Sequence, residues 1–129
     1  MVDVSKVNMA TTLLGQRISF PVGFSPSATH QIAHPIGEIG TAQAAQNAGT
    51  VMILSAMSTV SLEDVRRSAP NLVLWQQIYL FRNRSLTESF VKRATASRYG
   101  AIVVTVDSPV AGQAIPLVKN NFRLKEGLR

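Results

Sequence analysis

Four apolar runs recur along the chain at the spacing of a strand plus a crossover helix, and each closes on small or polar residues. They cover residues 22–28, 51–55, 73–79 and 101–107. Their starts lie 29, 22 and 28 residues apart, the size of a βα unit. Helical patterns fill the intervals. Alternating strands and helices imply parallel pairing through right-handed crossovers, with the strands buried on both faces. Polar groups at the C-terminal ends of such strands are where a (β/α)₈ barrel builds its site. A full barrel takes about 250 residues, whereas this chain has 129. The expected architecture is α/β: about the first four βα units of a parallel (β/α)₈ TIM-type barrel, preceded by a hairpin, in one domain over 1–129.

The elements follow from local signals. Thr11 to Phe20 reads as two short strands around Gly15-Gln16. Pro21 opens the first barrel-type strand, where a missing N–H does least harm. A first helix starts at His34-Pro35-Ile36-Gly37-Glu38, with Pro35 in its first turn. Ile36, Ile39, Ala42, Ala45 and Ala48 form its packed stripe, and Gly49 stops it. Ser61-Leu62-Glu63-Asp64 and Ser85-Leu86-Thr87-Glu88 match capping boxes for two further helices. The first of these ends before Pro70. The second turns Leu86, Phe90, Val91 and Ala94 inward and closes at Gly100. Residues 110–129 read as loop.

Composition removes several classes of function. At 46% hydrophobic and 16% charged residues the chain has the makings of a core. It lacks cysteine, so disulfides, thiolate catalysis and Cys-ligated metal sites are out. Its two histidines, His30 and His34, carry no HExxH-type carboxylate motif, and no metal is expected. No apolar run reaches the roughly 18 residues of a spanning helix, so no membrane partner is expected. Neither a secretory nor a peroxisomal signal is visible: the N-terminus lacks a basic n-region, and Gly127-Leu128-Arg129 is not a Ser-Lys-Leu-type tail. The net charge of +6 sits wholly in residues 82–129. Arg82, Arg84, Lys92, Arg93 and Arg98 read there as a solvated helix face and its leading loop. No aromatic platform interleaves them, so nucleic acid is not an expected partner.

One residue at the strand ends demands more than a bland reading. Gln77 places an amide in an apolar strand between Trp75 and Tyr79, and a buried amide needs a partner. Ser27, Ala28, Ser55 and Thr105, taken singly, are ordinary turn or strand residues.

Taken together, several segments resemble the FMN-dependent 2-hydroxy-acid oxidases, the glycolate oxidase and L-lactate dehydrogenase flavoenzymes. The segments are Asp3-Val4-Ser5-Lys6, Thr11-Thr12-Leu13-Leu14-Gly15, Ala33-His34-Pro35-Ile36-Gly37-Glu38, Gln77-Ile78-Tyr79, Thr105-Val106-Asp107-Ser108-Pro109 and Lys119-Asn120-Asn121-Phe122. The family fold is the (β/α)₈ barrel. The resemblance implies FMN as cofactor and oxidation of an L-2-hydroxy acid to a 2-oxo acid. It places Pro26, Ser27 and Ala28 against the flavin ring, Ser55 at the pyrimidine end, and Gln77 and Thr105 on the same ring. Donors there tune the charge that the reduced ring carries near N1 and O2. Tyr79 matches the tyrosine whose hydroxyl contacts substrate. Peroxisomal or cytoplasmic residence is what the resemblance implies for location.

The chain also departs from the pattern. Gly112 is followed by Gln113 and Ala114 where the family carries a substrate-binding arginine, and Met57 stands where many members have an aromatic residue. The segments that supply the family's catalytic histidine, main carboxylate-binding arginine, flavin-facing lysine and phosphate loops find no match, and His30 and His34 belong to the first loop and helix. The expectation is therefore a partial family domain, short at both ends, with little or no activity alone because no base accepts the hydroxyl proton. The alternative is a non-catalytic module that pairs with itself or with a full-length relative. A half-barrel leaves strand edges and an apolar face that invite pairing.

Overall fold

In the computed structural model, which describes residues 3–107 and 112–124, the chain opens on a tight hairpin. Strands β1 (Thr11–Leu13) and β2 (Gln16–Ile18) pair antiparallel, Leu13 opposite Gln16. The turn is Leu14-Gly15, one residue earlier than the sequence suggests. A two-residue hairpin turn needs positive φ at both positions, and Leu14 and Gly15 have φ of 46° and 77°.

The run at 22–28 does not become a strand; Phe24 makes a single parallel bridge to Met52. Its N–H donates to the Val51 carbonyl, and its own carbonyl accepts from Ile53 N–H, both at 2.9 Å. Pro21 and Pro26 flank this bridge without N–H donors, so the ladder cannot lengthen.

Three full strands follow, β3 (Val51–Leu54), β4 (Val73–Tyr79) and β5 (Ile102–Thr105), all parallel in the order β3-β4-β5. The register sets Leu54 opposite Gln76 and Tyr79 opposite Thr105. Side chains alternate between the two faces of each strand. Met52, Leu54 and Leu74 turn to the helices and form the core with Ala42, Ala45, Leu62, Val65, Ala69 and Leu72. The odd-numbered set, including Ser55, Trp75, Gln77, Tyr79 and Thr105, occupies the other face.

Helix α1 (Gly37–Ala48) starts two residues after Pro35, so that proline lies outside its first turn. Of the stripe read from sequence, Ala42 and Ala45 are buried, Ile39 is half-buried, and Ile36 and Ala48 are exposed. The buried face is Glu38, Ala42 and Ala45, an i, i+4, i+7 set; a strict step of three drifts off one face. Gly49, with φ 66°, ends the helix by donating its N–H to the Ala45 and Gln46 carbonyls.

Helix α2 (Leu62–Ser68) is capped by Ser61, whose Oγ accepts from Asp64 N–H at 3.2 Å. Helix α3 (Arg84–Ala96) is capped by Asn83 rather than Ser85, because the Asn83 Oδ1 accepts from Ser85 N–H. That shift leaves Leu86 exposed, Phe90 and Val91 half-buried and Ala94 buried. Its end is turned by Arg98 at φ 56°, ahead of Gly100. Residues 110–129 were expected to be loop, yet Ile115–Lys119 forms a short helix, α4, with Pro116 in its first turn, where a proline is tolerated. No helix among the described residues is long and apolar enough to cross a membrane.

Two side chains brace this layout. Gln16 ties the hairpin to the start of the sheet: its Nε2 donates to the Gly100 carbonyl at 3.2 Å, and its Oε1 accepts from Trp75 Nε1 at 3.4 Å. Arg66 donates to the carbonyls of Ala69, Pro70, Leu72, Ser97 and Arg98, joining the ends of α2 and α3. Its guanidinium also lies 5.4 Å from the centre of the Tyr99 ring.

Candidate functional site

The C-terminal ends of β3, β4 and β5 are joined by one side chain. Gln77 is buried at 2% exposure. Its Oε1 accepts from Ala56 N–H at 2.9 Å, just past β3, and its Nε2 donates to Thr105 Oγ1 on β5 at 2.9 Å. Ser55 adjoins this bridge, its Oγ accepting from Met57 N–H at 3.0 Å. Tyr79 lies two residues beyond Gln77 on the same face, half-buried, and meets the Phe81 ring edge-on at 6.3 Å. The structure thus gathers Ser55, Gln77, Tyr79 and Thr105 at one end of the sheet.

Pro26, Ser27 and Ala28 are exposed on the adjoining loop. That loop is held to the loop after β3 by Thr29, at φ 55°, whose N–H donates to the Met57 carbonyl at 3.2 Å. Its backbone is open, with small side chains, where a planar group could approach.

Neither histidine joins the strand ends. His30 sits in a 3₁₀ turn (His30–Ile32) with its Nδ1 3.2 Å from Thr41 Oγ1. His34 Nδ1 accepts from Ile36 N–H at 3.2 Å. Both line a groove of about 610 Å³ against α1, which Ser27 and Ala28 also border. The side chain of Met57 is exposed, so that residue meets the cluster through its backbone alone, and Gln113 and Ala114 are exposed as well.

Three buried polar residues, Thr50, Gln76 and Glu38, were not singled out by sequence reasoning. Gln76, facing the helices, donates from Nε2 to the carbonyls of Leu54 and Gln77, and its buried Oε1 has no partner among the described residues. Glu38 is fully buried. Its Oε1 accepts from the N–H groups of His30 and Thr59 at 3.1 and 2.9 Å, and its Oε2 accepts from the Thr59 hydroxyl at 2.6 Å. Burial pushes this carboxyl up, but the Thr59 hydroxyl and the two N–H donors outweigh burial and hold it below its ordinary value. The signal that could have found Glu38 is its i, i+4, i+7 spacing with Ala42 and Ala45.

The donor set suits the acceptor-rich edge of a flavin ring. Ser55 and Thr105 each accept a hydrogen bond, which leaves their hydroxyl hydrogens without a partner among the described residues. Gln77 Nε2 spends one hydrogen on Thr105 and keeps the other. Three donors therefore remain beside the open loop backbone of Pro26 to Ala28.

Comparison with known proteins bears on the family and the fold. The profile of the FMN-dependent dehydrogenase family matches residues 1–129. The chain is 44% identical over 124 residues to glycolate oxidase 3 of Oryza sativa subsp. indica, covering 96% of this chain and 34% of that protein. It is 39% identical over 127 residues to 2-hydroxyacid oxidase 1 of Mus musculus, covering 98% and 34%. Among solved structures, mandelate oxidase carrying a Tyr-to-Phe change, with (S)-mandelic acid, superposes with a TM-score of 0.92 at 30% identity, covering 99% of this chain and 38% of that one. A further structure of that variant holds a C4a-OH-FMN adduct at the same TM-score. The chain thus spans about a third of the length of the curated relatives it matches. FMN is the family's cofactor, and the described part of the fold is a partial parallel α/β barrel rather than a closed one. The chain belongs to the family of FMN-dependent dehydrogenases.

Proposed function

We propose that this chain supplies the flavin-ring side of a site that oxidises L-2-hydroxy acids to 2-oxo acids, and that the 129 residues alone turn over little or no substrate. The observation that carries this reading is the Gln77 bridge, which fixes the ends of β3, β4 and β5 and leaves three donors on one face. Bound FMN supplies the acceptor for the two electrons that leave the substrate α-carbon. Ser55 would hold the pyrimidine end of the ring, Gln77 and Thr105 would hydrogen-bond the same ring, and Pro26, Ser27 and Ala28 would pack their backbone against it. Tyr79 orients a substrate oxygen through its phenol, which holds the α-carbon in a productive pose. Among the described residues no histidine stands at the strand ends as a base for the substrate hydroxyl, since His30 and His34 are turned to α1 and to the loop. Other chain, whether covalently continuous or not, has to provide it.

The test is titration of FMN with purified chain, read by quenching and shift of flavin fluorescence, beside an oxidation assay with glycolate and lactate. Saturable binding without turnover is expected. A folded, soluble chain that leaves flavin fluorescence unchanged would remove the cofactor reading. Steady oxidation would overturn the claim of inactivity.

A second reading is favoured by a separate observation. Ile102 and Val104 on the edge strand β5 are 37% and 40% exposed. An apolar edge of this kind recruits further chain, so pairing with a second copy or with a full-length relative is the alternative role. Co-purification of a complete oxidase with the tagged chain supports it; recovery of the chain alone as a monomer counts against it.

A further inference from the structure

From the hydrogen bonds that converge on Glu38, we infer that this buried carboxylate is a positioning residue: it latches the loop carrying Pro26, Ser27 and Ala28 to the loop after β3, and its protonation loosens the latch. The latch has five hydrogen bonds. Glu38 Oε1 receives both the His30 and the Thr59 backbone N–H, and Oε2 receives the Thr59 hydroxyl. Thr59 Oγ1 in turn accepts from Gln31 N–H at 3.3 Å. Thr29 N–H donates to the Met57 carbonyl at 3.2 Å. Residues 29–31 are thereby fastened to residues 57–59, directly by two of these bonds and through one side chain of α1 by the other three.

The geometry makes the charge matter. A carboxylate accepts all three bonds with its charge behind them, whereas a protonated Oε2 has to donate to Thr59 Oγ1, which reverses that bond, and leaves the two N–H groups on a neutral carbonyl oxygen. No neighbouring charge contributes to the hold on Glu38; hydrogen bonds alone outweigh its burial. The other titratable side chains around it are His30, 3.2 Å from Thr41, and His34, on the loop leading into α1. The sign follows from linkage. A carboxyl held below its ordinary value of 4.5 contributes fully above that pH, and the contribution fades as pH falls through the lower folded value. The consequence for FMN rests on the flavin reading above, because the latched loop is the one that would cover the ring; the latch itself does not.

Amide hydrogen exchange by NMR decides the matter in the 129-residue chain. The His30 and Thr59 amides are followed from pH 7 to pH 4 in wild type, Glu38→Gln and Thr59→Val, each rate referred to its intrinsic value. In wild type both amides are expected to lose protection together below the ordinary carboxyl value of 4.5. In Glu38→Gln, which keeps the number of bonds but removes the charge behind them, both are expected to exchange at least about tenfold faster at pH 7, without an acid step. Amides of β4 are expected to stay protected. Equal protection of His30 and Thr59 in wild type and Glu38→Gln overturns the inference. So does an acid step that survives in Glu38→Gln, which would assign it to His30 or His34. Should Glu38→Gln not fold, the wild-type acid step and loosening in Thr59→Val decide alone; absence of both overturns it. FMN titration in parallel separates the two claims. About tenfold weaker binding and a shifted visible band in Glu38→Gln support the positioning role. Failure of wild type to take up FMN removes the flavin reading, and the exchange data still judge the latch.

Discussion

Gln77 shows how much one side chain can organise. Its amide is the only described link that reaches from the residue after β3 to the end of β5. Replacing it with leucine strands the Ala56 N–H and the Thr105 hydroxyl, and an unmade buried bond costs about 1–3 kcal/mol. Gln77→Leu is therefore expected to lower the thermal midpoint and to weaken FMN binding; an unchanged flavin titration would detach this residue from the cofactor. At this scale the sequence was informative wherever polarity stood out against an apolar strand, as at Gln77. Glu38 was legible only through its spacing with Ala42 and Ala45, which the stripe of three-residue steps concealed, and Gln76 not at all, since its neighbour Gln77 looks identical in one dimension. Ser55 and Thr105 became meaningful only through the register that sets them beside Gln77.

Between elements, Arg66 is the principal fastener. It satisfies carbonyls at the end of α2 and, across the chain, those of Ser97 and Arg98 after α3. Burial pulls this guanidinium down, and the nearby Tyr99 offsets part of that. Arg66→Met is expected to destabilise the fold by about 2–3 kcal/mol in urea unfolding, in the range of lost charged hydrogen bonds. Arg66→Lys is expected to recover little, since an ammonium cannot span a fork of carbonyls; full recovery would show that charge alone suffices. The order of strands and helices was readable from apolar spacing and from Ser61, Gly49 and Pro70. Boundaries failed where two local signals competed. Asn83 took the cap offered by Ser85, Arg98 turned the chain before Gly100, and the prolines around Phe24 cut a plausible strand to one bridge. Pro116 marked a helix start in a stretch whose polar surroundings read as loop.

Over the whole molecule, the spacing of 29, 22 and 28 residues was enough to foresee successive parallel βα units. What the spacing does not contain is the surface that results. The outward face of β5 shows Ile102 and Val104, and Val106 follows, 83% exposed. Exposed apolar edges drive association. The chain is expected to self-associate as its concentration rises, and Val104→Lys is expected to shift light scattering toward monomer while leaving the thermal midpoint within a few degrees. Association unchanged by Val104→Lys would place the contact elsewhere.

The Gln16 brace has a consequence in time. Its bond to the Gly100 carbonyl joins residues 84 apart in sequence. During synthesis at about 5–20 residues per second, the hairpin therefore waits roughly 4–17 s for its anchor to be made. Trp75 reaches Gln16 earlier, only 59 residues on, so the hairpin is first held by one bond and receives its second as the lead-in to β5 emerges.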